Sequence, residues 1–185
     1  IGTRPAVAAP LGTQSALLQL GTPLLLGGYP DLGLTEEIRE AAEKTQTMLI
    51  EDLFETFGEQ IVVFSSSAAM DENIQEAVDR LQQAAVEAVL YGATCIVIDD
   101  SEVFKGDKLW IDPLLLTSAL DQALRNAPHT PNLRRQAGLV VRSGALRDLH
   151  DMALCIALGA NGVVPYAMYA VALGLAPKPS KEQLT

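Results

Sequence analysis

The sequence predicts an α/β fold: a parallel β-sheet with βα repeats, forming a truncated or open TIM-barrel-like domain. Three observations carry this reading. From about Gln60 onward, short β-branched runs alternate with longer helical patterns. The runs are apolar throughout, as expected of strands buried on both faces of a parallel sheet. Roughly five βα units fit into the chain, too few to close the usual eight-stranded barrel.

The elements follow in order. Leu24-Leu25-Leu26 reads as a short buried strand, and Thr35 to Phe57 as one helix with Thr35 a fair N-cap. Ile38 stands where a capping box would place an acid or amide. Ile61 to Phe64 is a compact strand ending at Ser65-Ser66-Ser67. Between Asp71 and Tyr91, the positions Ile74, Val78, Leu81, Ala85, Ala88 and Val89 keep helical spacing, and Gly92 stops the helix. Thr94 to Ile98 reads as a fully buried strand closing on Asp99 and Asp100. Pro113 suits a first helical turn, and Leu114 to Asn126 continues it. Ala137 to Val141 is a strand. Leu146 to Leu158 is a helix with Leu149, Met152, Ala153 and Ile156 on one side. Gly159 and Asn161-Gly162 break the pattern before a short Val163-Val164 strand, and Tyr166 to Leu175 is helical. Residues 1–175 thus read as one domain. Ala176 to Thr185, with two prolines and three charges, reads as a linker-like tail.

Composition narrows the function. Of the 185 residues, 49% are hydrophobic and 19% charged, which suits a packed core and not a disordered chain. The first methionine is Met48, so the expectation is a piece of a longer chain. The opening stretch has no basic region before an apolar run, and no segment approaches ~18 consecutive apolar residues, so neither a signal peptide nor a membrane span is expected. A formal charge of −10 argues against a nucleic-acid partner, because a polyanion is held by a basic stripe. The two cysteines, Cys95 and Cys155, lie in apolar runs and fit neither a disulfide framework nor a metal spacing. Buried reduced thiols and a cytoplasmic location are expected.

Ligands of parallel α/β folds gather at the carboxyl ends of the strands. The candidates there are Asp99, Asp100 and Glu102, which could hold a metal or act as bases, and Arg142-Ser143-Gly144, whose amides could cradle a phosphate. Each set also has a plain structural reading, as strand-end acids that cap a turn and as an ordinary βα loop. His129 lies in a proline-flanked loop. His150 sits mid-helix between Asp148 and Asp151, but near neighbours along a helix do not face each other. Trp110 reads as packing a loop. No dinucleotide fingerprint, P-loop or nucleophile elbow is present. Taken by themselves, these residues describe a scaffold and assign no catalytic, cofactor-binding or metal-binding residue.

Several strings carry a resemblance. Asp79-Arg80-Leu81 with Ala84 and Ala88, then Gly92-Ala93-Thr94, precede a buried strand. Ile111 to Ser118 reads Ile-Asp-Pro-Leu-Leu-Leu-Thr-Ser. Gly138 to Val141 is followed by Ser143-Gly144-Ala145-Leu146-Arg147-Asp148-Leu149-His150, then Gly159-Ala160-Asn161-Gly162 and Pro165-Tyr166. In order and spacing these resemble the central domain of the large subunit of glutamate synthase, with its pattern GLVVESGEAREVHH and GADAVNPY. The family's strand-end Ser-Asp-Arg is Asp99-Asp100-Ser101 here, its acid before Ser-Gly is Arg142, and its Asn before Pro-Tyr is Val164. The resemblance implies a connector domain without cofactor or catalysis of its own, bordering an ammonia tunnel. Its expected partners are an amidotransferase domain and an FMN and iron–sulfur domain of the same parent chain. The competing reading is a self-standing barrel-like enzyme or interaction domain that binds a phosphorylated ligand at the strand ends.

Overall fold

A computed structural model describes residues 18, 20–30, 33–103, 106–128 and 132–175. Among the described residues six strands and six α-helices follow one another: α1 (Glu36–Thr45), α2 (Ile50–Phe57), β1 (Ile61–Ser65), β2 (Ser67–Ala69), α3 (Ile74–Leu90), β3 (Cys95–Asp99), β4 (Lys108–Trp110), α4 (Pro113–Asn126), β5 (Gly138–Arg142), α5 (Leu149–Ala157), β6 (Gly162–Val164) and α6 (Tyr166–Ala172). The tail from Ala176 and His129 lie outside the described residues, as does most of the stretch before Leu20.

β1, β3, β5 and β6 form a parallel sheet in that order. The N-terminal stretch extends it. Leu24 bridges Val163 in parallel, with the Leu25 N–H donating to Val163 O at 2.9 Å, and Leu26 bridges Leu49. Neighbours therefore follow chain order all the way round: Leu24–Leu26, Leu49, β1, β3, β5, β6, and back to Leu24. The one missing junction lies between Leu49 and β1, where no bridge is made among the described residues. This is a βα barrel arrangement left open, in agreement with the fold class read from sequence.

The sheet separates two apolar layers. On one face Ile96, Ile98, Leu139, Val141 and Val163 pack against α3, α4 and α5 through Val78, Leu81, Leu116, Leu120, Leu124, Met152 and Cys155. On the other face Cys95, Val97, Val140 and Val164 meet Leu25, Ile50 and Leu53, so α2 lies where a closed barrel would have its interior. β3, β5 and β6 are accordingly buried along their length, whereas Val63 at the centre of β1 is 48% exposed.

Four expectations are corrected. The single helix from Thr35 to Phe57 is two, broken where Gln46 takes a left-handed conformation (φ 53°) and the chain pairs with Leu26. Thr35 occupies the N-cap position but makes no capping hydrogen bond. The helix expected from Leu146 starts at Leu149, capped by Asp148, and buries Met152 and Cys155 while Leu149 is 76% exposed. Trp110, read as packing a loop, instead ends strand β4, which pairs antiparallel with β2 in a ribbon just beyond β1.

Candidate functional site

The carboxyl ends of β3 and β5 and the start of α6 converge on Asp100, which is 1% exposed. Asp100 directly follows β3, where the parallel ladder delivers it beside β5; its own N–H donates to Arg142 O at 3.3 Å. Its carboxyl oxygens accept from Ser143 Oγ at 2.5 Å, from the Gly144 N–H at 3.1 Å, from Tyr166 Oη at 2.8 Å and from Trp110 Nε1 at 3.4 Å. Four donors from three separate stretches of chain thus close on one side chain. Gly144 is fixed by the same packing: a Cβ there would stand 2.8 Å from the Tyr166 hydroxyl oxygen. Burial, and then the charge and hydrogen bond of Asp100, push the Tyr166 phenol well above its ordinary range.

A second group flanks the first. Arg142 NH1 donates to Asp99 Oδ2 at 2.9 Å and NH2 to Gly28 O at 2.7 Å, while its guanidinium lies 5.6 Å from the centre of the Tyr166 ring. Tyr29 meets that ring edge-on. Asp99 Oδ1 also accepts the Ser101 N–H at 2.8 Å, the turn-capping role open to a strand-end acid. A cleft of about 540 Å³ opens beside these residues, lined by Tyr29, Trp110, Leu114, Leu146, Arg147 and Tyr166 among others.

Five of the six strand-end candidates, Asp99, Asp100, Arg142, Ser143 and Gly144, meet here, yet they face one another, while Glu102 is exposed. The backbone amides that would cradle a phosphate are already engaged, although Arg142 Nε is buried without a partner among the described residues. The Gly144 amide holds Asp100, the Ala145 amide holds Ser143 Oγ at 3.0 Å, and α5 begins only five residues after Gly144. His150 is exposed on α5, and the neighbouring acids serve the backbone, Asp148 capping Asp151 and Asp151 accepting the Arg147 N–H. Among the described residues no group of three His, Cys, Asp or Glu side chains could hold a metal.

Sequence reasoning missed the partners. Trp110 and Tyr166 are the donors that complete the Asp100 site, and the sequence offers Tyr166 only as the start of a helix and part of the Pro165-Tyr166 string. It also missed a polar network at the opposite end of the sheet. Arg134 donates Nε to Asp121 Oδ1 at 2.7 Å, NH1 to Ala137 O at 2.6 Å, and NH2 to Asn161 Oδ1 at 2.7 Å and to Gly159 O. Asn161 Oδ1 also accepts the Leu139 N–H at 2.9 Å. Burial alone would raise the Asp121 carboxyl, but hydrogen bonds and charge from Arg125 and Arg134 hold it below its usual range. Gly159, at φ 125°, comes so close that a Cβ would stand 2.6 Å from Asp121 Oδ1. The Asp121/Arg125 spacing of four was the available signal.

Some of the strings that carried the resemblance contribute to these networks, Ser143, Gly144 and Tyr166 to the first and Gly159 and Asn161 to the second. The sequence profile of the family described as "Glutamate synthase central domain" matches residues 1–184. The chain belongs to that family. Similar proteins include the glutamate synthase [NADPH] large chain of Bacillus subtilis (strain 168), 30% identical over 100 residues, 54% of this chain. The ferredoxin-dependent glutamate synthase of Pyropia yezoensis is 28% identical over 102 residues, 55% of this chain. The matched stretch spans 6% of the length of each. As a member of the central-domain family, the chain corresponds to a small part of multidomain proteins. No helix among the described residues is long and apolar enough to cross a membrane.

Proposed function

We propose that this chain is the central, non-catalytic domain of a glutamate synthase. In this reading it links the glutamine amidotransferase domain to the FMN and iron–sulfur synthase domain of one parent polypeptide and borders the ammonia tunnel between them. Family membership over nearly the whole chain supports the assignment. The engagement of Asp100 by four internal donors supports the non-catalytic part, because a buried acid satisfied on both oxygens holds loops together and has no free valence for a substrate. The chain's two cysteines lie on opposite faces of the sheet, with thiols pushed up to about 12 and about 11 by burial, which suits neither cluster ligation nor nucleophilic attack. FMN and the cluster then belong to other parts of the parent. The proposed unit spans residues 1–175 with a linker after it, and the parent is cytoplasmic.

The test is the mass of the native polypeptide carrying this sequence, read by immunoblot, together with an FMN titration of the isolated chain. A band several times larger than 19.7 kDa and no saturable FMN binding are expected. Saturable FMN binding, or glutamine hydrolysis by the chain alone, overturns the non-catalytic reading.

A further inference from the structure

β1 has the sequence of a central strand and the position of an edge. Ile61-Val62-Val63-Phe64 is a continuous apolar, β-branched run, the pattern of strands with neighbours on both sides. Yet β1 pairs only with β3, and among the described residues no backbone hydrogen bond reaches its other side. Among the side-chain devices that blunt an edge, Ile61–Ser65 holds no lysine, no proline and no inward charge. Val63, in register with Val97 on the α2 side, is left 48% exposed. The same strand flanks the single gap in an otherwise cyclic order of neighbours.

We propose that β1 is completed by an extended segment of the parent polypeptide lying outside this chain, added as a further strand at the gap. This rests on the connector reading above. The occupant is a β-branched run with a basic residue at the end that meets Glu59, which is exposed just before β1. A second copy of this chain is the poorer fit, since each copy carries a formal charge of −10 and brings the same acidic flank. Main-chain hydrogen bonds would supply affinity, and packing against the exposed Val63 side chain would supply selectivity.

Hydrogen exchange of the 60–66 backbone, followed by mass spectrometry in the parent polypeptide and in the isolated chain, tests this. In the isolated monomer the β1 amides that do not bond β3 exchange fast; in the parent they slow by about tenfold or more. Val63→Lys in the parent abolishes that slowing while β3 and β5 keep theirs, and circular dichroism shows the isolated variant still folded. Equal exchange in parent and isolated chain overturns the proposal. So does slow exchange already present in the isolated monomer, or protection that appears only as the isolated chain dimerises. A native polypeptide near 19.7 kDa overturns both this inference and the connector reading, whereas an unprotected β1 inside a large polypeptide overturns this inference alone.

Discussion

Asp100 and Arg142 show how single side chains at a strand end can serve the fold. Asp100→Ala leaves the Ser143 hydroxyl, the Gly144 amide and the Tyr166 hydroxyl without their acceptor in a buried place, at a cost of about 3 kcal/mol or more. Tyr166→Phe removes only one of the donors and costs about 1–2 kcal/mol. Urea unfolding of the two variants should keep that order; a larger loss from Tyr166→Phe would contradict the central role given to Asp100. Arg142 answers the family pattern in reverse. Where the pattern has an acid before Ser-Gly and an arginine after the strand-end Asp, this chain has Arg142 and Ser101, and Arg142 turns to Asp99. Arg142→Glu alone sets two acids together and costs about 3 kcal/mol, and adding Ser101→Arg recovers about 1 kcal/mol or more. Additive effects in the double-mutant cycle would count against an ion pair that can change direction.

Among the elements, the break between α1 and α2 gives the sharpest test. Gln46 holds a left-handed conformation that glycine adopts without strain, so Gln46→Gly should raise stability by about 1 kcal/mol, read as a higher denaturant midpoint at unchanged slope. The sequence did not show this break because nothing punctuates it: no Gly or Pro stands between Thr45 and Leu49, and the chain leaves the helix to pair with Leu26, 23 residues earlier. β1, β3, β5 and α4 were legible because burial on two faces writes a continuous apolar run, and because Pro113 marks a helix start. The β2–β4 ribbon was not, since three-residue strands such as Ser67–Ala69 carry no period. The strand-end candidates were found by their position alone. Their closure on Tyr166, 66 residues beyond Asp100, is a tertiary fact that no local pattern records.

At the scale of the whole molecule, the sheet holds one thiol in each apolar layer. Burial raises Cys95 to about 12, and burial raises Cys155 to about 11, above their ordinary value near 9. A raised folded-state value means that the folded chain keeps its protons where the unfolded chain has released them. Stability from the thiols is therefore complete below about pH 9 and is lost as pH rises through 9 toward 12. Urea midpoints measured at pH 8 and pH 10.5 should fall at the higher pH, and Cys95→Ala should flatten that fall. Ellman's reagent should label neither thiol of the native chain at pH 8 and both once it is unfolded; rapid native labelling of Cys95 would contradict its place under α2. The cyclic order of neighbours also bears on synthesis. Leu24 is among the earliest described residues to leave the ribosome, and its partner Val163 follows nearly a whole domain later. A nascent chain can assemble β1, β3 and β5 with their helices as each is made, and Leu26 can already bridge Leu49, but Leu24 and Leu25 must wait for Val163. A ribosome halted before Val163 would hold a sheet exposed at both margins, and release of that last strand seals one of them.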